Sequence, residues 1–199
     1  MMNNMAKLYF RYGTMNSGKS TQLIAFAHNL QVQGICYLVM KSAIDTREGE
    51  PVIFSRPIGK IPCEWIEPDD IVIFNPENQK DKHIQWLLID EAQFLTAEQV
   101  DRLAELVDIY DINVICFGLR NDFRTKLFEG SKRLFEIADS IAEIKSICKC
   151  GRKNIINARI DKNGKAILTG PKLLVGSEDI YAAKCRKCYY EDIGKYTKS

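Results

Sequence analysis

The sequence predicts an α/β domain built on a largely parallel sheet, followed by a small C-terminal domain. Between residues 8 and 147, short apolar runs alternate with helical patterns, which is typical of strands and helices in a parallel sheet. After residue 147 this alternation stops, and two close pairs of cysteines flank a stretch with a turn signal. We therefore predict two domains, residues 1–147 and residues 148–199.

The first part of the chain predicts two strands and one helix, followed by a long loop. Residues 8–12 form a mixed apolar run, and residues 35–40 form the continuous apolar run expected of a strand buried on both faces. The segment after Gly18 is predicted as a helix that ends near Gly34, with apolar residues at helical spacing: Leu23, Ala27 and Leu30. Residues 42–62 lack periodicity and are predicted as a long loop, a feature that is usually functional.

The middle of the chain predicts further strands and two helices. Thr96 and Gln99 form a capping box that opens an amphipathic helix with apolar residues Val100, Leu103, Leu106 and Val107. A second helix is predicted over residues 130–139. The remaining predicted strands are residues 71–74, 86–90, 113–117 and 142–147.

The C-terminal segment has a different character. Asn163 and Gly164 mark a tight turn, and the runs 154–161 and 165–169 that flank it are predicted to pair as a hairpin. Residues 170–181 are predicted as a loop. Three cysteines outside this segment lie in apolar stretches and are predicted to be buried: Cys36, Cys63 and Cys116.

The composition is that of an ordinary globular protein. Of the 199 residues 46% are hydrophobic, and 28 Lys and Arg against 26 Asp and Glu give a formal net charge of +2, which argues against disorder. So small a charge gives no overall attraction to nucleic acid or membranes. The start of the chain lacks a signal-peptide pattern, and no run approaches the ~20 apolar residues that cross a bilayer. We expect a cytoplasmic protein.

A glycine-rich turn connects the first predicted strand to the first predicted helix. In the pattern G-x-x-x-x-G-K-S/T, backbone N–H groups and the helix N-terminus surround phosphate oxygens. Lys19 then reaches the β- and γ-phosphates, and the Ser20 hydroxyl ligates Mg²⁺. The matching residues are Gly13, Thr14, Met15, Asn16, Ser17, Gly18, Lys19 and Ser20.

Two acidic residues, Asp90 and Glu91, stand at the end of the apolar run that begins at residue 86. In phosphate-loop proteins an aspartate in the position of Asp90 holds Mg²⁺. Glu91 is expected to point to the other side of the strand, where it can act as a base. The two acids alone do not decide whether this base activates water or a substrate hydroxyl.

The paired cysteines predict a metal site. Cys148, Cys150, Cys185 and Cys188 supply four thiolates, a closed tetrahedral set that suits structural zinc. Six basic residues lie next to these cysteines: Lys149, Arg152, Lys153, Lys184, Arg186 and Lys187. Their positive charge favours the thiolate forms of the cysteines. The same basic residues could instead bind nucleic acid.

Five motifs occur together and in order, and as a set they resemble the type II thymidine kinase family. They are the phosphate loop, the segment 90–94, the segment 118–124, the paired cysteines and the segment 175–181. The resemblance covers nearly the whole chain. It implies a P-loop NTPase (RecA-like) domain with a small zinc-binding lasso domain.

The resemblance also implies roles for individual residues. Glu91 is then the base that takes the proton from the 5′-hydroxyl of thymidine, which attacks the γ-phosphorus of ATP. Arg47 matches a family arginine near the phosphates, and Asp45 beside it is placed to assist at the metal. The residues implied at the nucleoside are Met15, Phe94, Leu119 and Phe123, with Val175, Gly176 and Tyr181 from a lasso loop that closes over the base.

The implied function is a thymidine kinase that makes dTMP for pyrimidine salvage and also accepts deoxyuridine. The resemblance further implies Mg²⁺ with ATP, structural zinc, feedback inhibition by thymidine triphosphate and a homotetramer, without nucleic-acid or membrane partners. The alternative is a P-loop ATPase whose zinc ribbon binds nucleic acid and whose Glu91 activates water. Such an ATPase is expected to carry sensor or motor segments, which do not fit in this length. The sequence ranks neither ATP against GTP nor thymidine against deoxyuridine.

Overall fold

The structure is a computed structural model that describes residues 5–46, 48–76, 83–169 and 180–196. Its helices are α1 (Lys19–Val32), α2 (Ala97–Tyr110), α3 (Glu129–Ile137) and α4 (Arg186–Asp192). Its strands are β1 (Leu8–Gly13), β2 (Tyr37–Ser42), β3 (Val52–Ser55), β4 (Gly59–Pro62), β5 (Glu64–Ile66), β6 (Trp86–Asp90), β7 (Asn113–Leu119), β8 (Ser140–Ile144), β9 (Ile156–Arg159) and β10 (Tyr181–Lys184).

Among the described residues, six strands form one parallel sheet in the order β5-β2-β6-β7-β1-β8. Helix α1 packs on one face, in a buried cluster with Val39 and Leu88. Helices α2 and α3 pack on the other face, where Leu103 and Leu134 join Val114. The predicted α/β class is confirmed. Because the strands are parallel, the segments that follow β1, β2, β6 and β7 meet at one edge of the sheet.

Several predicted elements agree with the structure. The capping box is present: the Gln99 backbone N–H donates to Thr96 Oγ1 at 3.1 Å, and the Thr96 N–H donates to Gln99 Oε1 at 3.0 Å. The helix predicted over residues 130–139 is α3, and the strand predicted over residues 142–147 is β8, which starts and ends earlier.

Two predictions between β2 and β6 are wrong. Residues 71–74 form no strand, and Ile71 and Val72 are largely exposed. The neighbour of β2 is instead β5, a short strand that the sequence pattern did not reveal. Residues 42–62 are not one loop either, because they contain the antiparallel hairpin β3–β4, in which Ile53 and Ser55 are buried and Phe54 between them is exposed.

We call residues 148–169 and 180–196 the cysteine lobe. The predicted turn is present, with Gly164 at a φ of 74°. However, residues 165–169 contribute only an isolated bridge between Ile160 and Ala166, and β9 pairs with β10 instead. The lobe has a small buried cluster of its own: Ile156, Ala158, Ala166 and Tyr189. The boundary at residue 147 stays a prediction.

The lone cysteines are not alike. Cys116 is buried as predicted, Cys63 is half-buried and Cys36 is exposed, so the prediction is wrong for Cys36. Cys36 lies just before β2 rather than inside it. No helix in the described ranges has the length and apolar character needed to cross a membrane.

Candidate active site

The phosphate loop joins β1 to α1 through a backbone conformation that requires glycine at two positions. Gly18 lies just before α1 with a φ of 90°, a left-handed conformation that favours glycine. A Cβ at Gly13 would lie 2.3 Å from Ser17 Oγ and 2.8 Å from the Ile144 carbonyl oxygen, so only glycine fits there. The Lys19 ammonium donates to the Thr14 carbonyl at 2.9 Å. The loop thus has the turn and the central cation that phosphate binding requires.

Ser20 and Asp90 bring two oxygen ligands together. The Ser20 hydroxyl donates to Asp90 Oδ2 at 3.0 Å, and the Glu91 backbone N–H donates to Asp90 Oδ1 at 2.9 Å. Burial and the neighbouring Glu91 carboxylate raise the pKa of Asp90 to about 6. A hydroxyl and a carboxylate at this separation fit Mg²⁺, which prefers oxygen ligands.

Glu91 lies on the same cavity as Asp90 rather than on the opposite side of the strand. Alternation along β6 would separate the two side chains, but Glu91 has a φ of 54° and turns the chain into a 3₁₀ turn. Its Oε2 accepts a hydrogen bond from Gln93 Nε2 at 2.5 Å, and Gln93 Oε1 accepts from the Leu119 N–H at 2.9 Å. The carboxylate is therefore oriented by a buried amide.

These groups line a cavity of about 590 Å³. Lys19, Ser20, Asp90 and Glu91 lie at its phosphate end. Its other lining combines polar and charged side chains with a set of aromatic and apolar ones. That set includes the predicted nucleoside residues together with Phe128: Met15, Phe94, Leu119, Phe123 and Tyr181. One cavity thus combines a polyphosphate site with a pocket for a flat ring.

Three predicted site residues lie outside the described residues: Arg47, Val175 and Gly176. Within the phosphate loop, the residues that line the cavity are Met15, Asn16, Gly18, Lys19 and Ser20. Gly13, Thr14 and Ser17 are not part of this lining, and Thr14 Oγ1 lies 2.8 Å from Ser146 Oγ instead.

Sequence reasoning missed several residues on the cavity wall. Lys41 and Glu48 come from β2 and the segment after it, and Ser55 and Arg56 come from the hairpin β3–β4. Ser55 Oγ lies 2.7 Å from Thr21 Oγ1, which ties the hairpin to α1. The one available signal was Lys41, a charged residue at the end of an otherwise apolar strand.

Hydrogen bonds from Asn157 and Tyr189 connect the cysteine lobe to two segments that line the cavity. Asn157 is 3% exposed; its Oδ1 accepts from the Met15 N–H at 2.7 Å, and its Nδ2 donates to the Asn121 carbonyl at 3.1 Å. Tyr189 donates its hydroxyl to the Phe123 carbonyl at 2.8 Å. Burial raises the pKa of Tyr189, so this donor stays protonated. The lobe thereby holds the phosphate loop and the segment 121–123.

The four predicted cysteines converge. The sulfur atoms of Cys148, Cys150, Cys185 and Cys188 all lie within 4.8 Å of one another, and Cys150 and Cys185 are 3.5 Å apart. A tetrahedral site with Zn–S bonds of about 2.3 Å separates its sulfurs by ~3.8 Å, which this cluster fits. A hydrogen bond from the Arg152 backbone N–H is the main cause that lowers the pKa of the Cys150 thiol to about 6.

Comparison with known proteins gives consistent matches. A sequence model of the family described as thymidine kinase matches residues 6–189. The thymidine kinase of Enterobacteria phage T4 is 45% identical over 191 residues, which cover 94% of this chain and 97% of that protein. The thymidine kinase of Streptococcus gordonii is 44% identical over 188 residues, covering 94% and 97%. The thymidine kinase of Photobacterium profundum is 42% identical over 192 residues, covering 96% and 100%.

Among solved structures, a chain described in a study of DNA unwinding by two coordinating Pif1 helicases covers 69% of this chain with a TM-score of 0.37 and 16% identity. A similarity of that size supports no functional argument.

Proposed function

The chain belongs to the thymidine kinase family, and we propose how its cavity transfers the γ-phosphoryl group of ATP to the 5′-hydroxyl of thymidine. One observation carries the proposal. The phosphate loop, the Ser20–Asp90 pair and Glu91 line a cavity whose wall also includes aromatic and apolar side chains, among them Phe94, Phe123 and Phe128. A kinase needs a polyphosphate site and an acceptor site that share one space, so that the two reacting groups meet.

The phosphate end supplies positioning and charge. Phosphoryl transfer needs little covalent help, so catalysis rests on holding the triphosphate and neutralising its charge. Lys19 and the loop N–H groups bind the phosphates in this proposal, and Ser20 and Asp90 hold Mg²⁺. Mg²⁺, when bound, neutralises charge on the transferred phosphoryl group. Arg47 is proposed to add a second cation.

Glu91 is the proposed base. Gln93 donates to one of its oxygens, which fixes the direction in which the carboxylate faces. A carboxylate that is within reach of the acceptor hydroxyl and already oriented can take its proton as the new P–O bond forms. A thymidine hydroxyl bound at this position would displace the water that a hydrolase activates there.

The nucleoside end is proposed to hold thymine between aromatic and apolar side chains, among them Phe94, Leu119 and Phe123. Tyr181 lines the same cavity and is the first residue of β10. Residues 170–179, which include Val175 and Gly176, are proposed to close over the base and to bind its edge through backbone groups. Limited proteolysis tests this: cleavage between residues 170 and 181 is expected to slow markedly with saturating thymidine, and equal rates would contradict the closure.

The finer features stay proposals. They are structural zinc on the cysteine cluster, acceptance of deoxyuridine, inhibition by thymidine triphosphate, assembly as a homotetramer and a cytoplasmic location. The alternative, an ATPase that binds nucleic acid through its zinc ribbon, is not favoured, since relatives named thymidine kinase match nearly the full length of the chain.

A direct assay tests the proposed function. The protein is incubated with Mg-ATP and thymidine, and separately with Mg-ATP and DNA. We expect equal amounts of ADP and thymidine monophosphate in the first mixture only. Hydrolysis that DNA stimulates and that thymidine leaves unchanged would contradict the proposal.

A further inference from the structure

Lys41 is a buried lysine to which the proposed mechanism gives no task. It lies on the face of β2 that packs toward α1, two residues after Val39 and four after Tyr37, which both join the apolar cluster on that face. Only 2% of its surface is exposed. Lysine is almost never buried to this degree unless its ammonium is paired. The partners and the role of this buried charge therefore have to be identified.

The Lys41 ammonium is held by two carboxylates from the segment that follows β2. It lies 3.0 Å from Asp45 Oδ2 and forms a second short ion pair with Glu48. It also lies 5.7 Å from the centre of the Trp65 ring. Burial opposes the charged form, but the hydrogen bonds and charges of Glu48 and Asp45 prevail and raise the pKa of Lys41. The ammonium is therefore charged at neutral pH.

This ion cluster stands in the wall of the active-site cavity. Lys41 is the register partner of Asp90 on the neighbouring parallel strand β6, so both side chains leave the sheet on the same face. Lys41, Asp45 and Glu48 line the cavity together with Asp90 and Glu91. Asp45 is 2% exposed. Five carboxylates, those of Asp45, Glu48, Asp90, Glu91 and Asp122, thus line a cavity that must admit a polyphosphate. Lys41 pairs with the two that follow β2, Asp45 and Glu48.

We propose that Lys41 is a positioning residue for phosphoryl transfer, which holds the Asp45 carboxylate in the cavity wall beside Asp90. The inference rests on the proposed function of this cavity. The ammonium contacts both carboxylates, with Asp45 Oδ2 at 3.0 Å, and so holds Asp45 and Glu48 against the end of β2. The backbone of Asp45 is fixed separately, because its N–H donates to the Ser42 carbonyl at 3.1 Å.

A purely structural role makes a different prediction. If Lys41 served only to balance buried charge, then removing it together with one carboxylate would restore both folding and activity, because a buried pair is replaced by neutral groups. If Lys41 positions Asp45, the neutral pair restores folding and leaves turnover low. The variant that separates the two roles is Lys41→Met combined with Asp45→Asn.

The experiment compares the full-length wild type with K41M, D45N and K41M/D45N. We expect K41M to lower the Tm and to lower kcat about 10²-fold, the cost of displacing a positioned group, with KM for thymidine within threefold. We expect K41M/D45N to regain part of the Tm lost in K41M, because Glu48 still lacks its Lys41 partner, and to keep a kcat equal to that of D45N. The matched control is K60M, because Lys60 is exposed and pairs with Glu50 at 2.8 Å; its kcat should stay within twofold.

Recovery of kcat in K41M/D45N, or a kcat of K41M within threefold of wild type, would overturn the inference. If K41M does not fold, D45N and K41M/D45N decide the matter: kcat values that are equal to each other and far below that of the wild type support the proposal, and values that are unequal or close to that of the wild type contradict it. The wild type run in parallel separates this result from the proposed function. Absence of thymidine-dependent ADP formation in the wild type would refute the function itself, whereas an active wild type with unaffected variants would refute only the role of Lys41.

Discussion

The sheet region, residues 5–147, and the cysteine lobe differ in what stabilises them and in what they give the site. The sheet region has apolar clusters on both faces of its sheet and carries Lys19, Asp90 and Glu91. The lobe has one small apolar cluster in the part of the chain that is described, beside four converging cysteines. A bound metal, proposed for the cysteine cluster, would add to the stability that so small a core provides. The lobe contributes no candidate reacting group, yet Asn157 and Tyr189 hold the loops that carry them.

The comparison teaches that the reacting groups and part of their support come from different parts of the chain. A change at Glu91, the proposed base in the sheet region, should then alter the chemical step while leaving binding intact. A change in the lobe should alter binding, because the loops lose their support. The predictions below test this division, beginning with the largest expected effect.

Glu91→Gln should have the largest effect. The substitution keeps size and the hydrogen bond with Gln93 but removes basicity, so kcat should fall about 10²- to 10⁴-fold, with the Tm unchanged. Steady-state kinetics at saturating ATP and thymidine measure it. The matched control is Glu98→Gln, the same change at an exposed position of α2. A kcat within a few-fold of wild type would show that Glu91 is not the base.

Cys185→Ser should disrupt the lobe. Cys185 Sγ belongs to the four-cysteine cluster and also accepts a hydrogen bond from the Cys188 N–H at the start of α4. Losing a ligand forfeits metal-binding energy that is also folding energy. Elemental analysis should give one zinc per chain in the wild type and almost none in the variant, with faster proteolysis after residue 147.

The control for that variant is Cys36→Ser, since Cys36 is exposed and outside the cluster. It should keep its zinc and its resistance to proteolysis. Wild-type protein that is purified without chelators and contains no zinc would contradict the structural metal.

Asn157→Ala should weaken binding. The change removes the acceptor of the Met15 N–H and the donor to the Asn121 carbonyl, leaving two backbone groups unpaired. Each such group costs about 1–3 kcal/mol, and KM for thymidine and for ATP should each rise about 10-fold. Asn163→Ala, an exposed change in the same lobe, should leave both values unchanged. Unaltered KM values in Asn157→Ala would show that the lobe does not support the cavity.

The pH dependence of ATP binding should be the smallest effect. The pKa of Asp90 is raised to about 6, mainly by burial, so the group is ionised at neutral pH and gains a proton as the pH falls through 6. A protonated carboxyl is a poor cation ligand. The apparent KM for Mg-ATP should therefore rise about fourfold between pH 7 and pH 5.5. A flat profile over this interval would contradict the role of Asp90 at the metal.

The sequence predicted those parts of the site that lie within short motifs. The phosphate loop, the acids at the end of β6 and the cysteine pairs can each be recognised from a few neighbouring residues. The structure brings the Ser20 hydroxyl to Asp90 and gathers the four cysteines. The hairpin β3–β4 and the strand β5 were missed, because a strand of three or four residues carries too little periodicity to be seen alone.

Long-range contacts could not be predicted from the sequence pattern either. Asn157 lies 142 positions from Met15, and nothing in the local pattern around either residue indicates that they meet. The placement of Glu91 failed for a related reason, since its left-handed φ interrupts the alternation from which its direction was inferred. Sequence patterns do not reveal residues whose roles depend on tertiary contacts or on unusual backbone angles.

Equilibrium binding of thymidine to Glu91→Gln and Asn157→Ala, measured side by side by calorimetry, tests the division between chemistry and positioning most directly. The account predicts that Glu91→Gln binds thymidine within threefold of wild type despite its lost turnover. It predicts that Asn157→Ala binds about 10-fold more weakly while its kcat at saturation stays within a few-fold of wild type. Equal losses of affinity in the two variants, or a kcat of Asn157→Ala as low as that of Glu91→Gln, would contradict it.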